Sequence, residues 1–365
     1  MSQAEQFRHE LDDLRRALDS LDEELVRLLN KRAELSRRVG QVKQGPEAAV
    51  FVPEREAEVF ANVQRANRGP LHGAPLRAIY REVLSSSREL QHRPRIAYLG
   101  PPGTFTNQAA LEVFGSASEY VPQPAFPDIF AAVQGGQADY GVVPVENSTE
   151  GPVQQNLDLL AEGEAQVCGE VTLPIAHFLM ARCALPEIGR VYSHPQAAAQ
   201  TRRWLAEHLP GREVLHVAST TRAAEQAAEE SGAAAVAPRL AAEIYGLEIL
   251  AENIQDLSSN YTRFFVIGAQ PSQRPSGRDK TAICFSVKDR VGALRDVVQV
   301  FAEANLNLSS IHSRPSKRRA WDYLFFVEVD GHAADPHVAA VLRDVERQCV
   351  FLKVLGAWPL EPCAP

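Results

Sequence analysis

The first forty residues constrain this chain most. Phe7, Leu11, Leu14, Leu18, Leu21, Leu25 and Leu28 recur in steps of four and three, which is the seam of a heptad repeat. Leu35, Val39 and Val42 continue it, and position 32, which the same rule assigns to the seam, is Arg32. No proline interrupts residues 3–44, and Gly45-Pro46 supplies a stop. Forty residues of helix span about 60 Å, whereas a module of roughly 95 residues has a radius of gyration near about 13 Å. Such a helix cannot bury its seam within its own module, so the spacing predicts a homodimer with intertwined helices. Arg32 on a buried seam needs a partner. Lys43 lies eleven residues further on, nearly on the same helix face. Arg15 points about 100° away and sits about 25 Å along the axis, so it can join Arg32 and Lys43 only from a second chain. A coiled coil with a salt-bridged arginine is an equally open reading of this spacing.

The remaining sequence divides by charge. The net charge of −8 over 365 residues argues against non-specific nucleic-acid binding, but it is an average. Residues 1–95 carry +2, residues 96–270 carry −12 with no lysine, and residues 271–365 carry +2. Length and these steps together predict three modules, at 1–92, 95–270 and 279–365. No apolar run is long enough to span a membrane, and the N-terminus lacks a signal-peptide core. The five cysteines are scattered and never form CxxC. That spacing gives no zinc or disulfide signature, so no metal is expected and a reducing cytoplasm fits. Neither GxGxxG nor GxxxxGK[ST] occurs, so dinucleotide and P-loop chemistry lack their signal and no cofactor is expected.

In the first module Leu14-Arg15, Leu21-Asp22, Leu28-Leu29, Arg32, Glu34-Leu35, Val39-Gly40 and Lys43 resemble the first helix of the all-helical chorismate mutases. Pro53-Glu54-Arg55-Glu56 and the segment 76–91, ending Ser85-Ser86-Ser87-Arg88-Glu89-Leu90-Gln91, resemble their second and third helices. The resemblance implies that Arg32, Lys43 and Arg55 hold the substrate carboxylates and ether oxygen, with Arg15 supplied by the other subunit. It implies that Glu56 holds the substrate hydroxyl and that Ser87 and Gln91 complete the pocket. These residue types suit a Claisen rearrangement. That reaction needs a dianion held in a reactive conformer and positive charge at the breaking ether bond. Val52 departs from family members that have a polar residue there.

In the acidic module strands alternate with helices, which predicts an α/β fold with mostly parallel sheet. Strands at Arg95–Leu99, Asp139–Val145, Arg190–Ser193 and Glu213–Ala218 each run into a loop rich in Ser, Thr, Asn or Gln. Each loop can be read as helix capping. Together they can be read as an anion site built from helix N-termini and hydroxyls. The motifs Gly100-Pro-Pro-Gly-Thr-Phe-Thr106, Pro144-Val-Glu-Asn-Ser-Thr-Glu-Gly151, Ser193-His-Pro-Gln196, Ser219-Thr220 and Thr262-Arg263-Phe264 resemble prephenate dehydratase. The resemblance implies two α/β lobes around a cleft, with the chain crossing near Leu173 and returning near Ile254. It implies that Thr262 is nearest the proton transfer, within a hydrogen-bond network. Arg263 is expected to take the substrate carboxylate, and Asn147, Ser148, Thr149 and Gln196 to orient the substrate. Thr104, Thr106, Ser219 and Thr220 complete the expected set. Phe264 would flank the ring or pack in the core.

A polar segment, Gln270–Gly277, precedes a βαββαβ pattern, the ferredoxin-like order. Asp289-Arg290-Val291-Gly292-Ala293-Leu294 and Ser313-Arg314-Pro315 resemble the ACT domain of dehydratases that bind phenylalanine. The resemblance implies an effector site containing Gly292, Ala293, Leu294, Asn305, His312, Ser313 and Arg314. His312 stands where these enzymes usually have glutamate. An imidazole cannot replace a carboxylate facing a ligand ammonium, so feedback is expected to be weaker, pH-dependent or directed to another ligand. The fold class expected is thus multidomain: an all-α module, a two-lobed α/β module and a ferredoxin-like module. The expected function is a chorismate mutase joined to a prephenate dehydratase in phenylalanine biosynthesis. Its partners would be chorismate, prephenate and phenylalanine, in a homodimer or homotetramer with no nucleic acid or membrane. Two alternatives are a dehydratase whose helical module only dimerises and a non-catalytic ligand-binding regulator.

Overall fold

The computed structural model describes residues 3–43, 49–257, 259–315 and 323–360. Gly45-Pro46, the expected helix stop, and Cys363 lie outside them. The first module is three helices: α1 (Gln3–Val42), α2 (Pro53–Ala66) and α3 (Gly73–Glu89). Along α1, Asp12–Arg15, Asp13–Arg16, Glu24–Arg27 and Glu34–Arg37 form surface ion pairs three residues apart. Each contributes a few tenths of a kcal/mol, about 0.2–0.5. Among the described residues nothing covers the apolar seam: Leu14, Leu18, Leu21, Leu25 and Leu28 are all exposed, Leu25 by 56%. Pro53, pre-set for the first helical turn, starts α2.

The α/β module begins with β1 (Arg95–Leu99), α4 (Phe105–Phe114), β2 (Glu119–Gln123), α5 (Phe126–Gln134), β3 (Tyr140–Asn147), β4 (Gly151–Pro152), α6 (Gln154–Glu162) and β5 (Gln166–Pro174). The chain then crosses to a second lobe. That lobe holds β6 (Phe178–Ala181), β7 (Arg190–Ser193), α7 (Pro195–Gln200), α8 (Arg202–His208), β8 (Glu213–His216), α9 (Thr220–Glu229), β9 (Ala233–Ala237), α10 (Arg239–Tyr245) and β10 (Glu248–Ala251). It returns to the first lobe with β11 (Tyr261–Gly268). The second lobe is a five-stranded sheet in the order β10-β6-β9-β7-β8. Both sheets are mixed where mostly parallel pairing was expected. In the first, β1 runs parallel to β2 and β3, but β11 is antiparallel to β3 and β5. The reason is connectivity, because β11 re-enters the sheet from the lobe to which β5 departs.

The last module is β12 (Asp279–Val287), α11 (Ala293–Glu303), β13 (Leu308–Pro315), β14 (Tyr323–Asp330), α12 (Pro336–Gln348) and β15 (Cys349–Pro359). This is the expected βαββαβ order. It is not a separate body. Its sheet continues the first lobe's sheet through β15 beside β5, giving ten strands in the order β13-β14-β12-β15-β5-β11-β3-β1-β2, with β4 on β3. At the join Gly356 has φ +150°, and a Cβ there would lie 2.0 Å from the Val167 carbonyl oxygen, so only glycine fits. Trp358 is fully buried against Phe265, ring centroids 5.0 Å apart. The polar segment before β12 is also packed. Ser272 is buried and donates to Glu54 Oε2 of α2 at 2.8 Å. Among the described residues no helix is long and apolar enough to cross a membrane.

Candidate active sites

The α/β cleft is organised by Asn147, the last residue of β3, which lies opposite Thr262 on β11. Its Nδ2 donates to Thr262 Oγ1 at 2.9 Å, to Asn260 Oδ1 at 2.8 Å and to the Tyr261 carbonyl at 3.3 Å. Its Oδ1 accepts from Thr149 N (3.0 Å), Thr149 Oγ1 (2.6 Å) and Glu150 N (3.2 Å). Ser148 Oγ accepts from Tyr261 N and donates to the Ser259 carbonyl. With Asn147 filling an acceptor position on Thr262, that hydroxyl keeps its own proton to give.

Two residues that no motif marked extend this network. Asn260 donates through Nδ2 to Gln200 Oε1 at 3.2 Å. His177 Nε2 lies 2.8 Å from the same oxygen. Burial lowers the His177 pKa, partly opposed by the bond to Gln200, and because an amide oxygen only accepts, Nε2 is the donor in that bond. The Phe105 ring meets His177 edge-on at 5.6 Å, which brings the Gly100–Thr106 loop to the same place. Thr104 caps α4 by accepting from Asn107 N and donates to the Leu99 carbonyl. Thr106 is buried on the first turn of α4. The lobes touch where Gln196 donates to Glu150 and where Gly103 lies against Ala241. Ser219 caps α9, accepting from Arg222 N at 3.0 Å, and Thr220 opens that helix.

The expectation for Arg263 is corrected here, and Phe264 takes the core position, one of its two readings. Arg263 follows Thr262 on a strand, so its side chain points to the opposite face. There it is surrounded by Glu146, Glu170 and Glu328, which hold its pKa up against the effect of burial. It is bonded into the junction with the last module and does not face the cleft. Phe264 is 1% exposed and packs with Ile96, Tyr98 and Ala109 beneath α4. It is a core residue.

In the helical module Arg32 donates to Ser87 Oγ and, at 3.4 Å, to the Val83 carbonyl. Burial lowers its pKa, opposed by Tyr80 and reinforced by Arg55. Gln91 donates to the Ser87 carbonyl at 3.2 Å, and its Oε1 is buried without a hydrogen-bond partner. Lys43 Nζ donates to the Ala49 carbonyl at 2.9 Å. Lys43 and Gln91 line a cavity of about 490 Å³ that also touches Tyr140 and Cys168 of the α/β module. Arg55 pairs with Glu58 on the surface, and Glu56 pairs with Arg88. Arg15 is exposed on the free stretch of α1, away from the rest of this set.

In the last module Gly292 takes φ +83° as the N-cap of α11, and Asn305 follows that helix at φ +54°. His312 and Arg314 share one face of β13 and turn towards the α/β module. His312 Nε2 is 3.6 Å from Glu146 Oε1. Arg314 pairs with Asp158 at 2.5 Å and donates to the Gln154 carbonyl. Ser313 alternates to the exposed side. Arg314 is thus bonded at the junction, while His312 lies beside Glu146 with its Nε2 buried and without a hydrogen-bond partner. Among the described residues no group of three or more His, Cys, Asp or Glu is placed to hold a metal ion.

Family models match the chain in the order of its modules: chorismate mutase type II at residues 14–92, prephenate dehydratase at 96–272 and the ACT domain at 281–347. A bifunctional chorismate mutase/prephenate dehydratase from Aquifex aeolicus (strain VF5) is 46% identical over 355 residues, covering 96% of this chain and 98% of that one. The chain belongs to the bifunctional chorismate mutase/prephenate dehydratase family. It carries both activities, rearranging chorismate to prephenate and dehydrating prephenate. The dehydratase and ACT domains also resemble solved structures. A prephenate dehydratase from Arthrobacter aurescens, in complex with L-Phe, is 34% identical with TM-score 0.68, covering 74% of this chain and 92% of that one. A protein described as GqqA, a novel type of quorum quenching acylase, is 30% identical with TM-score 0.67, covering 73% and 98%.

Proposed function

We propose that Arg32, Lys43 and Arg55 of one subunit and Arg15 of the partner subunit hold chorismate in the mutase domain. Glu56 accepts from the substrate hydroxyl, and Ser87 and Gln91 close the pocket. The cations compress the dianion into its reactive conformer and stabilise the oxygen that gains charge as the ether bond breaks. What supports a two-chain site is the exposed seam of α1 with the exposed Arg15 flanking it. A homodimer, or a homotetramer built from it, is therefore the working assembly. The domain limits are 1–92, 95–270 and 279–365, and the scattered cysteines fit a cytoplasmic enzyme.

In the dehydratase, Thr262 donates or relays the proton that lets the ring hydroxyl leave as water. The bond it accepts from Asn147 is the observation that carries this reading. With Arg263 turned away, the pyruvyl carboxylate is held by the first turn of α4 with Thr104 and Thr106, and by Gln196, Ser148 and Thr149. Ser219 and Thr220 line the far lobe. The ring carboxylate is left poorly stabilised and departs as CO₂, giving phenylpyruvate. The test is to incubate the pure protein with chorismate and follow products. Prephenate appearing first and phenylpyruvate following is the expected course. Prephenate that accumulates without further conversion would refute the dehydratase assignment.

Phenylalanine is the effector, bound at the Gly292–Leu294 turn with Ala293, Asn305 and Ser313. The glycine lets ligand approach the backbone, and the N-terminus of α11 receives the carboxylate. Calorimetry on the full-length enzyme is expected to give phenylalanine at least about tenfold tighter binding than tyrosine. Equal affinity, or binding of neither, would refute the assignment.

A further inference from the structure

Arg88 lies on α3 with 3% of its surface exposed, and its guanidinium is shared between two domains. Nη1 donates to Glu56 Oε1 on α2. Nη2 donates to the Phe114 carbonyl, at the C-terminal end of dehydratase helix α4, at 2.7 Å. The rings of Phe51 and Phe114 flank its central carbon at 5.7 Å each. Helix α3 thus has two working faces. Val83, Ser87 and Gln91, spaced by four, face α1, where Arg32 reaches Ser87 and Val83. Glu82, Ser85 and Arg88, spaced by three, grip the turn that follows α4. Glu82 Oε2 accepts from Ser116 N and Oγ at 3.0 and 2.6 Å, and Ser85 Oγ accepts from Ala117 N at 3.0 Å.

We propose that Arg88 is a positioning residue of the mutase. It holds the Glu56 carboxylate in place for the substrate hydroxyl and makes that geometry depend on the docked end of α4. This rests on the reading of Glu56 as a substrate contact. Burial pushes the Glu56 carboxyl up, and Arg88 opposes this more than any other group, followed by Arg32. The other groups facing Glu56 are Tyr140 on β3 and, around the small cavity beside it, Arg77, Arg81, Glu112 and Glu170. Without the guanidinium, a buried carboxylate loses its compensating charge and takes up a proton. A protonated Glu56 no longer accepts as a carboxylate does. Its ionised form then returns only as pH rises, because the carboxyl has moved upward.

The test uses full-length Arg88→Met and Arg88→Lys enzymes, each with and without Glu56→Gln, assayed on chorismate from about pH 6 to about pH 9. Arg88→Met is expected to lower mutase kcat/KM roughly tenfold at neutral pH and to recover as pH rises. Arg88→Lys, which keeps the charge, is expected to lose less than about threefold. In the Glu56→Gln background, Arg88→Met is expected to add little, because the two side chains act as one unit. Dehydration of added prephenate should stay within about twofold, which reports an intact fold. A loss that is independent of pH, additive with Glu56→Gln or equal in both reactions would overturn the inference, as would unchanged mutase activity in Arg88→Met. If Glu56→Gln alone leaves the mutase at wild-type rate, the substrate-contact reading fails and takes this inference with it.

Discussion

Replacing Thr262 with alanine is expected to lower dehydratase turnover by about 10²–10⁴-fold, the range for losing a positioned proton donor. The mutase, which uses no residue of β11, should keep its rate. The fold should survive, because the change removes one hydroxyl from a site where Asn147 retains Asn260, Thr149 and two backbone groups as partners. Thr262→Ser is the companion variant. It keeps the oxygen that accepts from Asn147 and should recover most of the loss. The assay is phenylpyruvate formation from prephenate, beside prephenate formation from chorismate in the same preparation. A Thr262→Ala enzyme that dehydrates at near-normal rate would remove Thr262 from the mechanism.

The second large effect concerns α1. Burying a leucine stabilises an interface by about 1.5–3 kcal/mol, so a charge at two central seam positions should separate the subunits. Leu21→Asp with Leu25→Asp is expected to give a monomer by sedimentation and to lower mutase kcat/KM more than about 100-fold, because Arg15 no longer arrives from the partner subunit. Dehydratase activity should persist. A mixing experiment separates lost assembly from lost fold. Arg15→Ala and Arg32→Ala enzymes should each be nearly inactive as mutases. Dissociated and reassociated together, they should regain about a quarter of wild-type activity, since half the dimers are mixed and each mixed dimer has one intact site. No recovery on mixing would place both arginines in one subunit's site and refute the shared pocket.

Several of these features could be read in the sequence because they obey a period. The seam of α1, the strand-to-helix turn carrying Thr104, and the βαββαβ order follow from spacing and turn chemistry, whereas the turn after Asn147 leads into the short strand β4. Arg263 marks the limit of such a period. A run of Thr-Arg-Phe suggests three residues in one site, yet adjacent strand residues face opposite ways. The alternation itself would have separated Arg263 from Thr262, but not named its partners. Glu328 lies 65 residues along the chain, and no local pattern announces a pairing at that distance. The same holds for His312 and Arg314, whose partners Glu146 and Asp158 lie in another domain. His177 and Asn260 belong to no motif, and Arg88 stands in the matched segment 76–91 with no role assigned to it there. They matter because folding brings them against Gln200, Asn147 and Glu56.

The shared ten-stranded sheet also limits how this chain can be cut. A truncation that ends before Asp279 would uncover the edge of β5 that β15 occupies, together with the apolar socket where Phe265 meets Trp358. An open strand edge beside an exposed aromatic invites pairing between molecules. A catalytic fragment without its regulatory end would thus be prone to precipitate, whatever the state of its cleft.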